Sequence, residues 1–179
     1  MGTNEGLNML KIYAARGMSH RVKEDVVNEA AADRAVMSGY GVLVLDPVAA
    51  ENVESTKEVL RSSKKAMDNY WPRDKEMIRE ANVVFDLTPN LNSEGVKHEI
   101  GYARYSLWKP VIRVFPKGQM PIASSVARFE DDALFDDLHE AVKYAVENFG
   151  TWKKRFKWRV SLLARCLPKW IKYQIQEWK

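Results

Sequence analysis

Apolar positions in this chain fall into short runs separated by stretches of helical period. Residues 9–15 (MLKIYAA) read as a first strand, leading into a turn at Arg16-Gly17-Met18-Ser19. Val22, Val26, Val27, Ala30 and Ala31 recur at helical spacing and predict a helix over 20–38, with Gly39 where a C-cap glycine is expected. Residues 41–48 (GVLVLDPV) form a second short strand ended by Pro47. The polar stretch 50–63 reads as a loop with a helical turn. Pro72 suits the first turn of a helix running to residue 81, with Asp74 and Glu76 favourable near its positive end. Residues 82–88 (NVVFDLT) are apolar enough for a strand covered on both faces. A turn over 89–92, a helix over 94–107, a strand over 111–115 and a helix over 136–149 complete the pattern.

Strands alternating with helices predict an α/β domain, a parallel sheet with helices on both sides, over residues 1–149. In such sheets ligands bind outside the carboxyl ends of the strands. Residues 150–179 form an extra helical segment. There Trp152, Phe156, Val160, Leu163, Leu167, Trp170 and Ile171 recur at helical spacing with Lys and Arg between them, and Pro168 interrupts the helix.

Charge separates the two parts. The extension holds nine basic residues and one acid, Glu177, for +8 (9 − 1); the remainder holds 19 basic and 23 acidic residues, for −4. The basic pI near 9.1 therefore describes the extension, which weakens a nucleic-acid-binding reading of the body. A basic, Trp-rich amphipathic helix suits an anionic membrane surface, nucleic acid or a partner protein. The plainest reading has it docking on a neighbouring subunit, its cations facing the −4 body.

Composition excludes several classes. Apolar residues make up 46%, enough for one core. No run of about 18 apolar residues predicts a membrane span, and the polar start 1–8 predicts no signal peptide. A single cysteine, Cys166, permits no internal disulfide and fits a reducing cytoplasm; among Leu162, Leu163 and Leu167 it reads as a small core residue. His20, His98 and His139 form no metal-ligand pattern, so no structural zinc is expected, and the reaction implied below needs neither a metal nor an organic cofactor.

The candidate chemistry sits in Ser93-Glu94-Gly95-Val96-Lys97-His98-Glu99-Ile100-Gly101-Tyr102-Ala103, which follows the third strand and so lies at the ligand edge. Glu99 falls one turn into the helix between Gly95 and Gly101, small residues that allow close approach. On pattern alone Glu99 reads equally as a solvated helix acid. Asp74 likewise reads as a helix-start acid, Tyr13 as a strand aromatic and Ser93 as a helix N-cap, with Arg16 and Arg21 as surface charges.

The order of three segments ties these residues together. ANVV at 81–84, GVKHEIGYA at 95–103 and KPVI at 109–112 resemble the signature of the nucleoside 2-deoxyribosyltransferase-like family, with its Ala-Asp-Val-Val strand, its Gly-x-x-x-Glu-Leu-Gly-Tyr-Ala and its Gly-Lys-Pro-Val. KIYAARGM resembles that family's Ile-Tyr-x-Ala-Gly-Pro-Met opening, so the likeness spans about residues 10–115. It implies a flavodoxin-like, Rossmann-like fold. It further implies Glu99 as nucleophile at the anomeric carbon, Asp74 as the acid serving the leaving base, and Tyr13 as hydrogen-bond partner of the nucleophile. Ser93 falls where deoxyribosyltransferases place an aspartate for the sugar 5'-hydroxyl and where 2'-deoxynucleoside 5'-monophosphate N-glycosidases place a serine for a 5'-phosphate. A serine hydroxyl donates to a phosphate that an aspartate would repel. Arg16, Gly17, Met18, Ser19 and Arg21 around the first turn, with Gly95 and His98 beside the nucleophile, complete the implied substrate site. Three departures stand out: Arg16-Gly17 in place of Gly-Pro, Asn82 in place of Asp, and His98 where an aromatic residue or Met is usual.

The implied reaction is cleavage of an N-glycosidic bond through an oxocarbenium-like state, with a covalent deoxyribosyl intermediate on Glu99. Water completing it gives hydrolysis of a deoxynucleotide, and a second base gives transfer. The family forms dimers or larger assemblies whose neighbouring subunit completes the site, a contribution for which Ser124 and Ser125 are candidates. A non-catalytic nucleotide-binding protein using the same pocket is the reading from a different class.

Overall fold

The computed structural model describes residues 9–18, 21–50, 63–88, 93–119 and 132–166, the side chains of 50, 63–69 and 164–166 excepted. The elements are β1 (Lys11–Ala15), α1 (Lys23–Ser38), β2 (Leu43–Leu45), α2 (Pro47–Ala50), α3 (Ser63–Glu80), β3 (Val83–Asp86), α4 (Glu94–Gly101), a π-helical turn (Tyr102–Ser106), β4 (Val111–Val114), β5 (Ala133–Phe135), α5 (Leu138–Phe149) and α6 (Trp152–Cys166). The strands form one five-stranded sheet in the order β2-β1-β3-β4-β5, with every pairing parallel. This is the doubly wound α/β arrangement expected from the alternation of strands and helices. The order reverses between β1 and β3, so the ligand crevice of such a fold opens at their carboxyl ends.

Period-two alternation divides the central strands between two cores. Ile12 and Ala14 of β1, Val83 and Phe85 of β3 and Ile112 and Val114 of β4 meet Met37 of α1 and Val142, Ala145 and Phe149 of α5. The intervening residues Tyr13, Ala15, Val84 and Val111 meet Ile78 of α3, Val96 and Ile100 of α4 and Ala103. Each large side chain buried in full, such as Phe85 or Ile12, contributes roughly 1.5–3 kcal/mol of transfer free energy.

Polar groups fix the sheet's amino edge. The Asn82 side chain accepts from the Lys11 amide at 2.9 Å while its own amide donates to the Lys11 carbonyl at 2.7 Å. Lys109 is buried and donates to the carbonyls of Arg79 (2.8 Å) and Ala81. These are carbonyls that α3 leaves open at its end.

Four local expectations change. Pro72 lies inside α3, not in its first turn. Its ring removes one helical hydrogen bond, but Trp71 beside it packs on the second core and edge-on against Tyr102 at 5.7 Å, which holds that turn. Gly39 ends α1 with a right-handed φ of −59°, and the left-handed residue is Gly41 at φ +69°. The helix expected over 94–107 is α-helical only to Gly101 and then widens into the π-helical turn. Strand β5 was absent from the pattern, because its three apolar residues Ala133–Phe135 stand between aspartates.

Helix α6 docks on its own chain. Trp158 donates from Nε1 to Asp132 at 3.0 Å and stacks edge-on with Phe149 at 6.0 Å. Asp132 also pairs with buried Arg104 at 2.7 Å and accepts from the Val111 amide at 2.9 Å. No helix among the described residues is long and apolar enough to cross a membrane.

Candidate active site

Tyr13, Asp74 and Glu99 converge on the α3–α4 side of the sheet. Tyr13 is the middle residue of β1 and faces that side by strand alternation; it is wholly buried. Trp71, Asp74 and Ile78 repeat at helical spacing on α3, so Asp74 places a carboxylate on an otherwise apolar stripe, and it too is buried. Glu99 sits between the buried positions Val96 and Ile100 of α4. It keeps some surface, but its Oε2 is buried and has no hydrogen-bond partner. The Tyr13 hydroxyl is buried and unpartnered as well. The two face each other closely enough for the hydroxyl to stabilise the carboxylate, short of a well-formed hydrogen bond.

Burial sets the electrostatics. Desolvation, then the charge of Asp74, pushes the Glu99 carboxyl up to about 8, against the lowering effect of the Tyr13 hydroxyl. Desolvation also raises Asp74, while Arg73 lowers it by donating to Oδ1 from Nε (3.1 Å) and Nη2 (2.9 Å). Desolvation and the two carboxylates raise the Tyr13 phenol well above its ordinary value, which keeps it a hydrogen-bond donor at neutral pH. A buried carboxyl raised to about 8, with a second carboxyl and a fixed donor beside it, can do acid–base or nucleophilic work.

The first loop divides. Gly17 donates from its amide to Thr88 Oγ1 at 2.7 Å, joining the carboxyl ends of β1 and β3 at the switch point. Met18 follows it, and Ser19 lies outside the described residues. Arg16 and Arg21 turn to the α1–α5 side. Arg16 is buried and pairs with Asp33 (2.5 Å) and Glu29 (3.5 Å), and Arg21 pairs with Glu29. They line a cleft of about 460 Å³ with Leu87, Thr88 and Phe115. The structure therefore does not bring these guanidiniums to the Tyr13–Asp74–Glu99 cluster.

At α4, Ser93 stands at the N-cap with extended backbone (φ −78°, ψ 121°), but its side chain makes no cap hydrogen bond. The hydroxyl is left available beside the helix's positive end. Gly95 is exposed, with only the Ser93 hydroxyl near the place a Cβ would take, at 3.9 Å. His98 is exposed on the outer face of α4.

Two nearby groups were missed in the sequence. Asp86 ends β3, buried, and desolvation raises it to about 6; it accepts from the Thr88 amide at 3.1 Å and its charge raises Glu99 further. The signal was an acid closing a strand otherwise apolar on both faces. Arg73 was hidden by its ordinary place beside Asp74. Among the described residues no cluster of His, Cys, Asp or Glu could hold a metal ion.

No protein-family model and no curated protein matches the chain in sequence. Among solved structures, the chain is similar to the 2-deoxyribosyltransferase of the psychrotolerant bacterium Bacillus psychrosaccharolyticus, a biocatalyst for the synthesis of antiviral and antitumoral nucleosides. The likeness has 25% identity and a TM-score of 0.54, and covers 75% of this chain and 91% of the transferase.

Proposed function

We propose that the chain cleaves the N-glycosidic bond of a 2'-deoxynucleoside 5'-monophosphate, with Glu99 attacking the anomeric carbon and Asp74 delivering a proton to the leaving base. The observation that carries this reading is the buried, unpartnered Glu99 Oε2 facing the Tyr13 hydroxyl with Asp74 beside it. Burial holds a proton on Glu99 up to about pH 8. As positive charge develops on the sugar, the carboxylate form of Glu99 is favoured, and the proton it gives up passes to Asp74 and from there to the leaving base. The bond from C1' to the base nitrogen breaks, one forms from C1' to Glu99 Oε, and water then releases deoxyribose 5-phosphate. The two carboxyls supply the chemistry without a cofactor. Ser93 favours a 5'-phosphate, because its hydroxyl is unused by the helix and sits at the positive end of α4.

The likeness to a 2-deoxyribosyltransferase favours a second reading, in which another base replaces water at the glycosyl-enzyme. A panel of deoxynucleoside monophosphates, with and without an acceptor base, separates the two. Free base plus deoxyribose 5-phosphate is the expected result; a new nucleotide formed only with acceptor establishes transfer. Base release by Glu99→Ala equal to wild type would overturn both. A cytoplasmic setting, which the single cysteine fits, and a homo-oligomer, which the resemblance implies, complete the proposal.

A further inference from the structure

Among the described residues, helix α6 is used on one face only. Trp158 and buried Leu162 dock it on the body, while Trp152, Phe156, Val160 and Leu163 form an adjoining stripe that is about half exposed or more. A continuous apolar strip of that kind on a helix surface marks an interaction site. The helix carries six basic residues and no acid over 152–166, and Lys153, Lys157 and exposed Arg159 flank the stripe. At its base, a second cavity of about 220 Å³ lies at the amino edge of the sheet, opposite the candidate active site. Trp152 and Phe156 line it with Lys109, Arg155 and Arg159. The described residues place no carboxylate against these three cations. The two arginines, after burial, push the Lys109 ammonium down to about 8. The cavity thus concentrates positive charge directly under the apolar stripe.

We propose that this face of α6 docks the protein on an anionic phospholipid surface, with the stripe entering the headgroup boundary and the cavity receiving a lipid phosphate. A second copy that met this helix with its own α6 would bring the cations of one copy onto those of the next. A nucleic acid would neutralise the charge but leave Val160 and Leu163 in water. An anionic bilayer meets both demands at once: apolar depth for the stripe and phosphates for its flanks. Basic residues and Trp170 and Trp178 continue beyond the described part of the helix, so the sequence extends the same character.

The test is co-sedimentation of the full chain with vesicles of phosphatidylcholine alone or of equal parts phosphatidylcholine and phosphatidylglycerol. Wild type should bind the anionic vesicles and not the neutral ones. Phe156→Asp with Leu163→Asp should abolish binding, and Lys153→Gln with Arg159→Gln should weaken it roughly thirty-fold. Both double variants alter exposed positions and should keep the wild-type circular dichroism and melting temperature. Absence of binding to the anionic vesicles overturns the proposal. So does wild-type vesicle binding by the Asp variant, which would reduce the effect to charge alone. So does a wild-type oligomer that the Asp variant dissociates while vesicles bind neither, which would assign the stripe to a second copy. None of these readouts depends on glycosidase activity.

Discussion

The Tyr13 hydroxyl lies close enough to the Glu99 carboxyl to stabilise its charge, yet the hydroxyl and Glu99 Oε2 are both buried without a well-formed hydrogen bond. Leaving such atoms unsatisfied costs stability, and a fold keeps them where a ligand supplies the missing partner. Tyr13→Phe removes one of the pair at little change in volume. Folding stability should stay level or rise by up to about 1 kcal/mol. The Glu99 carboxyl loses the group that lowers its proton affinity, so the rising limb of kcat/KM should move to higher pH. Thermal melts and a pH–rate profile of the variant check the two halves, and an unmoved limb would separate Tyr13 from the reacting carboxylate.

Glu99→Gln gives the complementary prediction. The folded protein holds the Glu99 proton up to about pH 8, whereas the unfolded chain releases it near 4.5. The folded state therefore binds more protons across this window, and stability falls as pH rises, by up to about 1.4 kcal/mol per unit. Gln does not titrate, so the variant should match wild type near pH 4.5 and exceed it above pH 8, with base release lost throughout. Urea unfolding at a series of pH values reads the difference. Parallel stability curves for the two proteins would show that the carboxyl is not held protonated by burial.

Much of this arrangement was legible in the chain. The short apolar runs gave β1, β3 and β4, and the place of Glu99 just after the third strand put a carboxylate at the ligand edge, though not yet on the buried side of its helix. Asp74 and Tyr13 were legible only through order along the chain, since an acid near a helix start or an aromatic in a strand is commonplace. The placement of Arg16 and Arg21 was not legible. A turn with two arginines looks like an anion site, and only the fold shows α1 presenting Glu29 and Asp33 to them. Strand β5 escaped because three residues are too few for a period. The interior position of Pro72 escaped because the packing of Trp71 on Tyr102 is a long-range contact.

Trp108 precedes the Lys109-Pro110 pair with φ +52°, alone among described non-glycine residues on the left-handed side. A Cβ there costs about 1 kcal/mol that glycine avoids. The indole is partly exposed, so side-chain truncation alone removes modest packing. Trp108→Gly should be more stable than Trp108→Ala by about 1 kcal/mol, the reverse of the usual order of these two residues. Denaturant titration of both variants measures this directly. Alanine proving the more stable would mean the loop adopts a right-handed backbone in solution.

Asp132 joins three parts of the molecule, since it pairs with Arg104 of the π-helical turn, accepts from Val111 of β4 and accepts from Trp158 of α6. Arg104 and Asp132 are both buried, and the guanidinium also lies 5.5 Å from the Trp158 ring. Asp132→Ala leaves that guanidinium without its carboxylate, a change that costs about 3–5 kcal/mol in comparable buried pairs. Trp158→Phe removes only the indole donor and should cost about 1 kcal/mol. If Asp132 is the anchor of α6, the Ala variant should also speed amide hydrogen exchange over residues 152–163 more than in the strands β1 and β3, while Trp158→Phe shows a smaller effect in the same helix. Equal exchange in α6 for wild type and Asp132→Ala would show that the helix is held by the contact of Trp158 with Phe149 and the burial of Leu162 alone.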